Sequence, residues 1–310
     1  MSGVPTAPDF ALGLAALGRP AYINLGRTGA LPAHRDVEAM REQCHAVLDA
    51  AYAAGVRRVD VARSYGRAEE FLAGWLDSRG HRDVRVSSKW GYAYVGDWRV
   101  DADVHEVKEH SAERFARQWG ETHDLLGEHV GLYFVHSLTT DSPLFGDLDL
   151  LLALGGLRDS GVRLGFSTSG PDQAGTVGRA LELEVEGRRL FEAVQSTWNV
   201  LETSVEPALA RAHEAGVEVF VKEGLANGRL AVDPPARVRE LAERHGVGPD
   251  AVALAAVRAR PWADVVLSGA ASVEQLRANL APVELDPDEL AGLAEPPDRY
   301  WATRAALAWD

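Results

Sequence analysis

The sequence predicts a parallel (β/α)8 barrel, and three observations carry this prediction. Short apolar runs alternate with amphipathic helical patterns eight times along the chain. The phrases AGVRRVD, SGVRLGFS and AGVEVFVKE each place a glycine after a helix and a β-branched run after the glycine, as short helix-to-strand connections require. The length of 310 residues suits such a barrel, which typically has about 250 residues plus additions.

A doubly wound open sheet is the alternative architecture, because it has the same alternation of strands and helices. Neither of its usual phosphate-binding signatures is present in the sequence. No G-x-G-x-x-G follows the first strand, and the chain contains no Walker A pattern. The barrel is therefore the favoured fold.

The individual elements follow from apolar periodicity and from glycine and proline punctuation. Small apolar residues at 11–18 predict the first strand, and a loop rich in glycine and proline follows at 19–32. Apolar residues at helical spacing predict a helix at 34–54, which Gly55 ends. Later helices are predicted at residues 68–78, 104–126, 148–159, 173–183, 206–214, 235–245, 249–258 and 272–280. Later strands are predicted to end at or near Asp60, Lys89, His136, Ser167, Gln195, Lys222 and Ser268.

We expect a single domain over residues 1–310, with a C-terminal tail from about residue 286 to residue 310. The tail contains three large aromatic residues, Tyr300, Trp301 and Trp309. In a barrel, such a tail either crosses the mouth of the active site or packs on the outside, and the sequence favours neither arrangement.

The composition is that of an ordinary globular protein, with 46% hydrophobic and 25% charged residues. The net charge of −14 argues against a nucleic-acid partner, because binding to the phosphate backbone needs clustered lysine and arginine. The single cysteine, Cys44, cannot form an internal disulfide, which fits a reducing compartment. The N-terminal segment has no signal-peptide pattern, and no stretch reaches about 18 apolar residues. We therefore predict a cytoplasmic protein with no membrane partner.

Titratable side chains stand at the predicted ends of three neighbouring strands. Asp60 ends the second strand and is followed by Tyr65, Lys89 ends the third strand, and His136 ends the fourth. In a barrel the carboxyl ends of the strands converge on one face, so these four side chains are expected to meet there. Asp60 is the natural counter-charge of a lysine drawn into an apolar barrel mouth.

The residue types suggest a division of chemical roles. The Lys89 cation beside Tyr65 would lower the pKa of the phenol and make it a usable general acid, and a neutral His136 would orient a carbonyl oxygen. Because no serine or cysteine nucleophile stands out, an external hydride is the expected complement. A structural ion pair between Asp60 and Lys89, a core histidine and an ordinary loop tyrosine are the alternatives that spacing alone leaves open.

The segments DVARSYG, SSKWG and LYFVHS, in this order, resemble the three signature segments of the aldo/keto reductase superfamily. The resemblance covers roughly residues 10–280. It implies an NAD(P)(H)-dependent oxidoreductase that reduces a small-molecule aldehyde or ketone to an alcohol, or catalyses the reverse reaction. The family's catalytic Asp, Tyr, Lys and His map onto Asp60, Tyr65, Lys89 and His136, with Tyr65 as the proton donor.

The resemblance also implies positions that bind the dinucleotide. GFSTS matches the segment whose Ser-Asn pair binds the nicotinamide carboxamide, with Thr168 in place of the asparagine. KEGLANGRL stands where a loop embraces the pyrophosphate, and Lys222 and Glu223 depart from the family pattern there. The positions carried over are Ser167, Thr168, Gln195, Gly224, Leu225, Gly228, Leu230, Gly269, Gln275 and Asn279.

The choice between NADP(H) and NAD(H) depends on the segment SGAASVEQLRANL. Ala271 and Ser272 stand where the family often has basic residues that clamp a 2′-phosphate, and Arg277 is the nearby cation that could substitute for them. The resemblance favours NADP(H) as the family's common cofactor and leaves NAD(H) open.

Two further groups of residues are weighed for a role in the site. The aromatic residues Trp90, Tyr92, Tyr94 and Trp98 either line an apolar substrate pocket or only hold their loop in place. The histidines His105, His110, His123 and His129 lack metal-ligand spacing, so we expect no metal site and assign these histidines to solvated faces.

Two other functions remain compatible with these patterns. A nucleotide-binding regulatory barrel with little turnover would explain the altered cofactor positions Thr168 and Ala271. A hydrolase or lyase using Asp60 and His136 without a dinucleotide is disfavoured by the presence of Tyr65 and Lys89.

Overall fold

The computed structural model describes residues 9–310. Residues 1–8, which contain most of the segment searched for a targeting signal, lie outside the described residues.

Eight parallel strands close into a barrel, and each strand pairs with its neighbours in the chain. The first and last strands pair as well, with Asp9 opposite Val265, so the sheet has no open edge. This arrangement confirms the predicted (β/α)8 fold. The strands are β1 (Asp9–Gly13), β2 (Arg58–Asp60), β3 (Arg85–Trp90), β4 (Val130–Leu138), β5 (Arg163–Thr168), β6 (Ala193–Thr197), β7 (Glu218–Lys222) and β8 (Val265–Ser268).

The helices surround the barrel, and several begin at a side chain that caps the first turn. Asp36 and Asp147 accept hydrogen bonds from backbone N–H groups of the helices that they precede, as Ser111 and Ser272 do. The helices are α1 (Val37–Ala53), α2 (Ala68–Arg79), α3 (Ala112–Leu126), α4 (Leu148–Asp159), α5 (Gln173–Leu181), α6 (Glu206–Glu214), α7 (Arg229–Val232), α8 (Ala236–His245), α9 (Pro249–Arg258), α10 (Val273–Asn279) and α11 (Pro297–Ala305).

The predicted helix at 104–126 is wrong in its first two turns. Residues Glu106–Lys108 pair with Tyr92–Tyr94 in an antiparallel hairpin that follows β3, and α3 begins only after Ser111. Val104 and Val107 are three residues apart, which imitates a helical stripe, but Val107 lies opposite Ala93 in the hairpin.

The first strand is shorter than predicted, because the chain turns away from the sheet after Gly13. The N–H groups of Leu17 and Gly18 donate to the Leu14 carbonyl, which closes a tight turn. A Cβ on Gly18 would lie 2.3 Å from the carbonyl oxygen of Tyr65, so glycine allows this turn to rest directly on the loop that carries Tyr65.

The interior of the barrel is filled with side chains. Phe134 and Phe220 pack with ring centroids 5.5 Å apart, and Gly165 leaves the space that the Phe134 ring occupies. The remaining buried side chains of this layer are Ala11, Leu132, Ala193, Val265 and Leu267. A larger core lies between the barrel and the helices. Because the interior is packed, small molecules can enter only at the ends of the strands.

Within the described range, every helix is too short or too polar to span a bilayer. In residues 9–310, no three side chains of His, Cys, Asp or Glu are grouped as metal ligands.

Candidate active site

A cavity of about 340 Å³ opens at the C-terminal ends of the barrel strands. Asp60, Tyr65 and His136 line it together with the ends of β7 and β8. Lys89 lies directly behind these residues and is almost completely buried. The structure therefore brings the four predicted catalytic residues to one place, as the strand ends indicated.

Asp60 and Lys89 form a buried ion pair at the base of the cavity. Lys89 Nζ also donates to the carbonyl oxygen of Val61 at 3.0 Å. The other carboxylate oxygen of Asp60 accepts from Ser87 Oγ at 2.7 Å and from Gln195 Nε2 at 3.0 Å. These hydrogen bonds hold the Asp60 and Lys89 side chains in position. Burial lowers the pKa of Lys89, and the Asp60 carboxylate opposes this effect.

Tyr65 lies against this ion pair, with Lys89 Nζ 4.9 Å from the centroid of its ring. The expected lowering of the Tyr65 pKa is not found. Burial raises the pKa of the phenol well above its usual value, and the Asp60 charge raises it further, while Arg19 opposes both. The physical reason is that Asp60 neutralises Lys89, so the lysine charge does not offset the loss of water around the phenol.

His136 faces Tyr65 across the cavity, with the two ring centroids 5.6 Å apart. Its Nδ1 lies 3.4 Å from Ser64 Oγ. Burial lowers the pKa of His136 well below its usual value, and the positive charges of Lys89, Lys222 and Arg19 lower it further. The imidazole is therefore neutral at physiological pH.

The loop after β7 closes over one side of the cavity. The N–H of Leu25 donates to the carbonyl of Asn227 at 2.9 Å, and Asn227 Nδ2 donates to the carbonyl of Ile23 at 3.0 Å. Glu223, Ala226 and Asn227 adopt positive φ angles of 56°, 49° and 54°. Such strained backbone at three non-glycine residues is typical of ligand-binding loops.

A cluster of charges stands at the end of β7. Arg304 of α11 contacts both carboxylate oxygens of Glu223 through Nε at 3.0 Å, and Lys222 Nζ lies 3.7 Å from the same carboxylate. The Arg304 and Lys222 charges outweigh the effect of burial and lower the pKa of Glu223 to about 2. All three residues line the cavity, so two cations share one carboxylate there.

Half of the predicted dinucleotide positions line the cavity: Gln195, Gly224, Leu225, Gly228 and Gly269. Gln195 is committed to Asp60 through its amide nitrogen, which leaves its carbonyl oxygen for a ligand.

The other five predicted positions are not among the residues that line the cavity. Thr168 is fully buried, and its hydroxyl bonds to Gln173 and Ser196, so Ser169 lines the cavity in its place. Leu230 packs in a small core with Tyr300 and Trp301. The remaining three positions bind protein groups: Ser167 to Ser137, Gln275 to Ala271, and Asn279 to Ser268.

The segment expected to hold a 2′-phosphate offers no cation at the cavity. Ala271 is buried, and its N–H donates to Gln275 at 2.9 Å. Ser272 caps α10, and Arg277 is exposed on that helix.

Of the four aromatic residues at the end of β3 and just beyond it, Trp90, Tyr92, Tyr94 and Trp98, only Tyr92 lines the cavity. Trp90 is buried, and its ring packs against the His110 ring. The Tyr94 hydroxyl accepts from the Trp98 backbone N–H, and Trp98 Nε1 donates to the Arg35 carbonyl. These three aromatics hold the loop in place, which was one of the two predicted alternatives.

The C-terminal tail reaches the mouth of the cavity, where Arg304, Ala305 and Trp309 contribute to its wall. Trp309 stacks on His105 with ring centroids 4.4 Å apart, and the Arg19 guanidinium lies 4.9 Å from the Trp309 ring. Arg19 also pairs with Glu106 at 2.7 Å. The tail therefore crosses the mouth.

Sequence reasoning missed several of these residues. Arg19, Glu106, Asn227 and Arg304 line the cavity without having been singled out. His105 and His110 are buried, so their assignment to solvated faces is wrong. Both histidines precede α3, in the segment where the predicted helix is wrong.

The model of the aldo/keto reductase family matches residues 28–295 of this chain. Protein tas of Escherichia coli (strain K12) is 25% identical over 304 aligned residues, which cover 79% of this chain and 86% of that protein. Aldo-keto reductase str7 of Strobilurus tenacellus is 24% identical over 283 residues, covering 80% of this chain and 79% of the relative.

A solved structure with the same fold is the holo form of aldo-keto reductase AKR11C1 from Bacillus halodurans. It matches with a TM-score of 0.68 and 19% identity, and the match covers 94% of this chain and 93% of that chain. At 19% identity the structural similarity establishes only the barrel fold, so the chemistry of the site has to be argued from the side chains of this chain.

Proposed function

Because this chain belongs to the aldo/keto reductase family, we propose that it reduces an aldehyde or ketone with NAD(P)H, or catalyses the reverse oxidation, with Tyr65 as the proton donor. Members of the family are oxidoreductases that act on small carbonyl compounds, and this chain is such an enzyme.

The observation that carries the proposal is the buried Asp60–Lys89 pair behind Tyr65, with a neutral His136 opposite. A purely structural ion pair would not need a phenol and an imidazole facing each other across an open cavity. Tyr65 and His136 both line the cavity with their ring centroids 5.6 Å apart, so a carbonyl oxygen bound between them would contact both side chains.

The polar groups that line the cavity are of the types that bind a nicotinamide dinucleotide. Lys222 and Arg304 supply cations for a pyrophosphate, and the loop Gly224–Gly228 supplies backbone groups. Asn227 Oδ1 is buried and has no hydrogen-bond partner among the described residues, so it is available to a ribose hydroxyl. The Gln195 carbonyl oxygen is available to the N–H groups of a carboxamide. When bound, the reduced dinucleotide supplies hydride to the carbonyl carbon.

Tyr65 delivers the proton to the carbonyl oxygen. Its raised pKa keeps the phenol protonated throughout the neutral range, so the proton to be donated is present at any pH in that range. The oxygen becomes an alkoxide as the carbon is reduced, and an alkoxide is a much stronger base than a phenolate, so the transfer is favourable. The Arg19 guanidinium lies 5.1 Å from the centroid of the Tyr65 ring, and its charge stabilises the phenolate that remains.

His136 orients the carbonyl. In the tautomer whose Nδ1 accepts from Ser64, the neutral imidazole carries its proton on Nε2, and we assign this tautomer because it can donate to the substrate oxygen. Two donors on one oxygen fix its direction and stabilise the charge that develops there.

NADP(H) is the family's common cofactor and is the proposed one. NAD(H) is the alternative, because Ala271 and Ser272 bring no cation to a 2′-phosphate. We also propose a cytoplasmic location, on the ground that the lone Cys44 excludes an internal disulfide.

The first experiment titrates the purified protein with NADPH and with NADH separately, with tryptophan fluorescence as the signal. Trp309 lies in the cavity wall, so a bound dinucleotide is expected to quench it. We expect saturable quenching by at least one of the two, tighter for NADPH.

The second half of the experiment measures oxidation of the bound dinucleotide across a panel of aldehydes, ketones and sugars. Turnover of any carbonyl supports the proposal. Absence of binding by both dinucleotides would refute it, and binding without turnover across the panel would favour a nucleotide-binding regulatory barrel.

A further inference from the structure

Strand β4 contains a bulge at the residue that carries the imidazole. Val135 pairs with Phe166 of β5, but the next pair joins Leu138 to Thr168, so β4 has one more residue than β5 across this step. The extra residue breaks the alternation of the strand at His136 and Ser137, and Ser137 adopts a φ of +51°. A bulge turns a side chain to a direction that a regular strand would not give it.

The bulge also takes two backbone groups out of the regular pattern of ladder hydrogen bonds. The carbonyl oxygen of His136 and the N–H of Ser137 flank the same peptide bond, and each is satisfied by a side chain from another element. His110 Nε2 lies 2.9 Å from the His136 carbonyl oxygen. The Ser137 N–H donates to Ser167 Oγ at 2.8 Å. The peptide after His136 is therefore held on both sides.

The proton on His110 is assigned by its partners. A carbonyl oxygen can only accept, so Nε2 of His110 is the donor to His136, and Nδ1, 2.8 Å from Ser142 Oγ, accepts the serine proton. Ser142 Oγ in turn accepts from the Leu144 N–H at 3.4 Å. Burial lowers the pKa of His110 to about 4, so the neutral form that this arrangement needs is present at physiological pH.

The His110 ring is also wedged against the main chain at the end of β3. A Cβ on Gly91 would lie 2.6 Å from the ring, so the ring rests on the glycine itself. Gly91 has a φ of +110°, and its N–H donates to Gln118 at 2.8 Å. The ring therefore cannot move toward β3, and its bond to His136 has a fixed direction.

We propose that His110 is a positioning residue for carbonyl reduction. By donating Nε2–H to the His136 carbonyl oxygen it holds the bulge that directs the His136 imidazole into the cavity opposite Tyr65. Ser167 holds the other side of the same peptide. The inference rests on the proposed function, in which the His136 imidazole orients the substrate carbonyl.

The test substitutes His110 with phenylalanine, which keeps a ring but removes the donor, and with glutamine, whose amide N–H reaches about as far as Nε2. His110→Phe is expected to lower kcat for carbonyl reduction by about 10- to 100-fold, because small misplacements of reacting groups have effects of this size. The dinucleotide Kd is expected to stay within about 2-fold, and His110→Gln is expected to recover most of the lost kcat. His45→Phe is the matched control, since His45 also bonds a backbone carbonyl, that of Phe71, away from the cavity.

A double-mutant cycle separates positioning from general damage. If His110 acts through His136, His110→Phe has little further effect on kcat in a His136→Ala background. An equal loss of kcat in both backgrounds, or unchanged turnover in His110→Phe alone, would overturn the inference.

A crystal structure of the variants gives a readout that does not depend on turnover. In His110→Phe we expect Ser137 to leave the positive-φ region and the His136 ring to move out of the cavity, with the wild-type position kept in His110→Gln. An unmoved ring in His110→Phe would contradict the inference even if the wild-type protein reduced no carbonyl, whereas a failed dinucleotide titration of the wild type would count against the proposed function alone. If His110→Phe does not fold, Ser142→Ala removes the bond to Nδ1 and is expected to produce the same ring movement in smaller measure, and an unmoved ring there overturns the inference.

Discussion

Lys222 stands at the end of β7 inside the cavity, with Nζ 2.8 Å from Thr197 Oγ1. Burial lowers its pKa to about 8, and the charges of Arg304 and Lys89 act in the same direction while Glu223 opposes them. The side chain therefore changes its charge within a range in which the protein can be assayed. A bound anion favours the protonated form of a neighbouring lysine.

This arrangement predicts that dinucleotide affinity falls as the pH rises through about 8. The Kd from fluorescence titration is expected to increase by up to about 10-fold between pH 7 and pH 9.5, because the lysine binds its proton more tightly in the complex than in the free protein. Lys222→Met is expected to bind more weakly at pH 7 and to lose this dependence.

The control is Lys108→Met, which removes an exposed lysine of the hairpin. It should keep the wild-type pH dependence. A Lys222→Met protein whose Kd rises with pH as steeply as that of the wild type would show that another group is responsible.

At the residue scale, sequence reasoning brings Asp60, Tyr65, Lys89 and His136 to one place, where the structure also has them, and misjudges the electrostatics of Tyr65. Strand ends in a barrel converge, so Asp60, Lys89 and His136 could be placed from the pattern alone. The direction of the Tyr65 pKa could not, because it depends on how deeply the phenol is buried and on Asp60 neutralising Lys89. The spacing of residues along the chain predicts neither the burial of the phenol nor the neutralisation of Lys89.

At the scale of elements, α11 is attached to the barrel mouth by specific polar contacts. Arg304 pairs with Glu223, and the Tyr300 hydroxyl accepts from Asn199 Nδ2 at 2.9 Å. Glu295, two residues before the helix, pairs with Arg229 of α7. The helix therefore rests on the loop after β7 that is proposed to hold the dinucleotide.

Removing the carboxylate from Glu223 is expected to destabilise the protein. Glu223→Gln leaves Arg304 and Lys222 without their shared counter-charge in a largely buried place, and breaking a buried ion pair in this way costs about 3 kcal/mol. The free energy of unfolding from urea titration at pH 7 measures the loss. Glu70→Gln is the control, because its pair with Arg67 is about half exposed and is worth less than about 0.5 kcal/mol.

The pH dependence of this loss has a definite sign. The pKa of Glu223 is lowered to about 2 in the folded protein from a usual value of 4.5, so its contribution is present above pH 4.5 and is lost as the pH falls toward 2. The difference between wild type and Glu223→Gln should therefore shrink below about pH 4. Equal stability of the two proteins at pH 7 would contradict the role assigned to the pair.

Sequence patterns place most elements within a few residues and fail at the hairpin after β3. The helices α4, α6 and α9 have the predicted boundaries, because caps, proline and apolar periodicity agree there. The segment 104–108 has helical spacing, but its conformation is decided by the pairing of Val107 with Ala93 and of Glu106 with Arg19. Such contacts between distant segments override local periodicity.

At the scale of the whole molecule, residues from near the two ends of the chain meet at the mouth of the cavity. Arg19 follows β1 and Trp309 lies in the C-terminal tail, yet the guanidinium and the indole ring are in contact at the mouth. The Arg27 guanidinium adds a hydrogen bond of 2.8 Å to the Asp310 carbonyl oxygen. The closed barrel makes the positions of the strand ends predictable from sequence. The course of the C-terminal tail over the mouth depends on these individual contacts, and no periodic sequence pattern predicts them.

The central claim is that the Tyr65 phenol protonates the carbonyl oxygen in a dinucleotide-dependent reduction. The most direct measurement is kcat of Tyr65→Phe beside that of Tyr92→Phe, which removes a second phenol from the same cavity wall, with the dinucleotide Kd measured for both. We predict that Tyr65→Phe lowers kcat by about 100- to 10,000-fold and leaves the Kd within about 2-fold, whereas Tyr92→Phe keeps most of its turnover. A Tyr65→Phe enzyme that reduces the same carbonyl at the wild-type rate would contradict the claim.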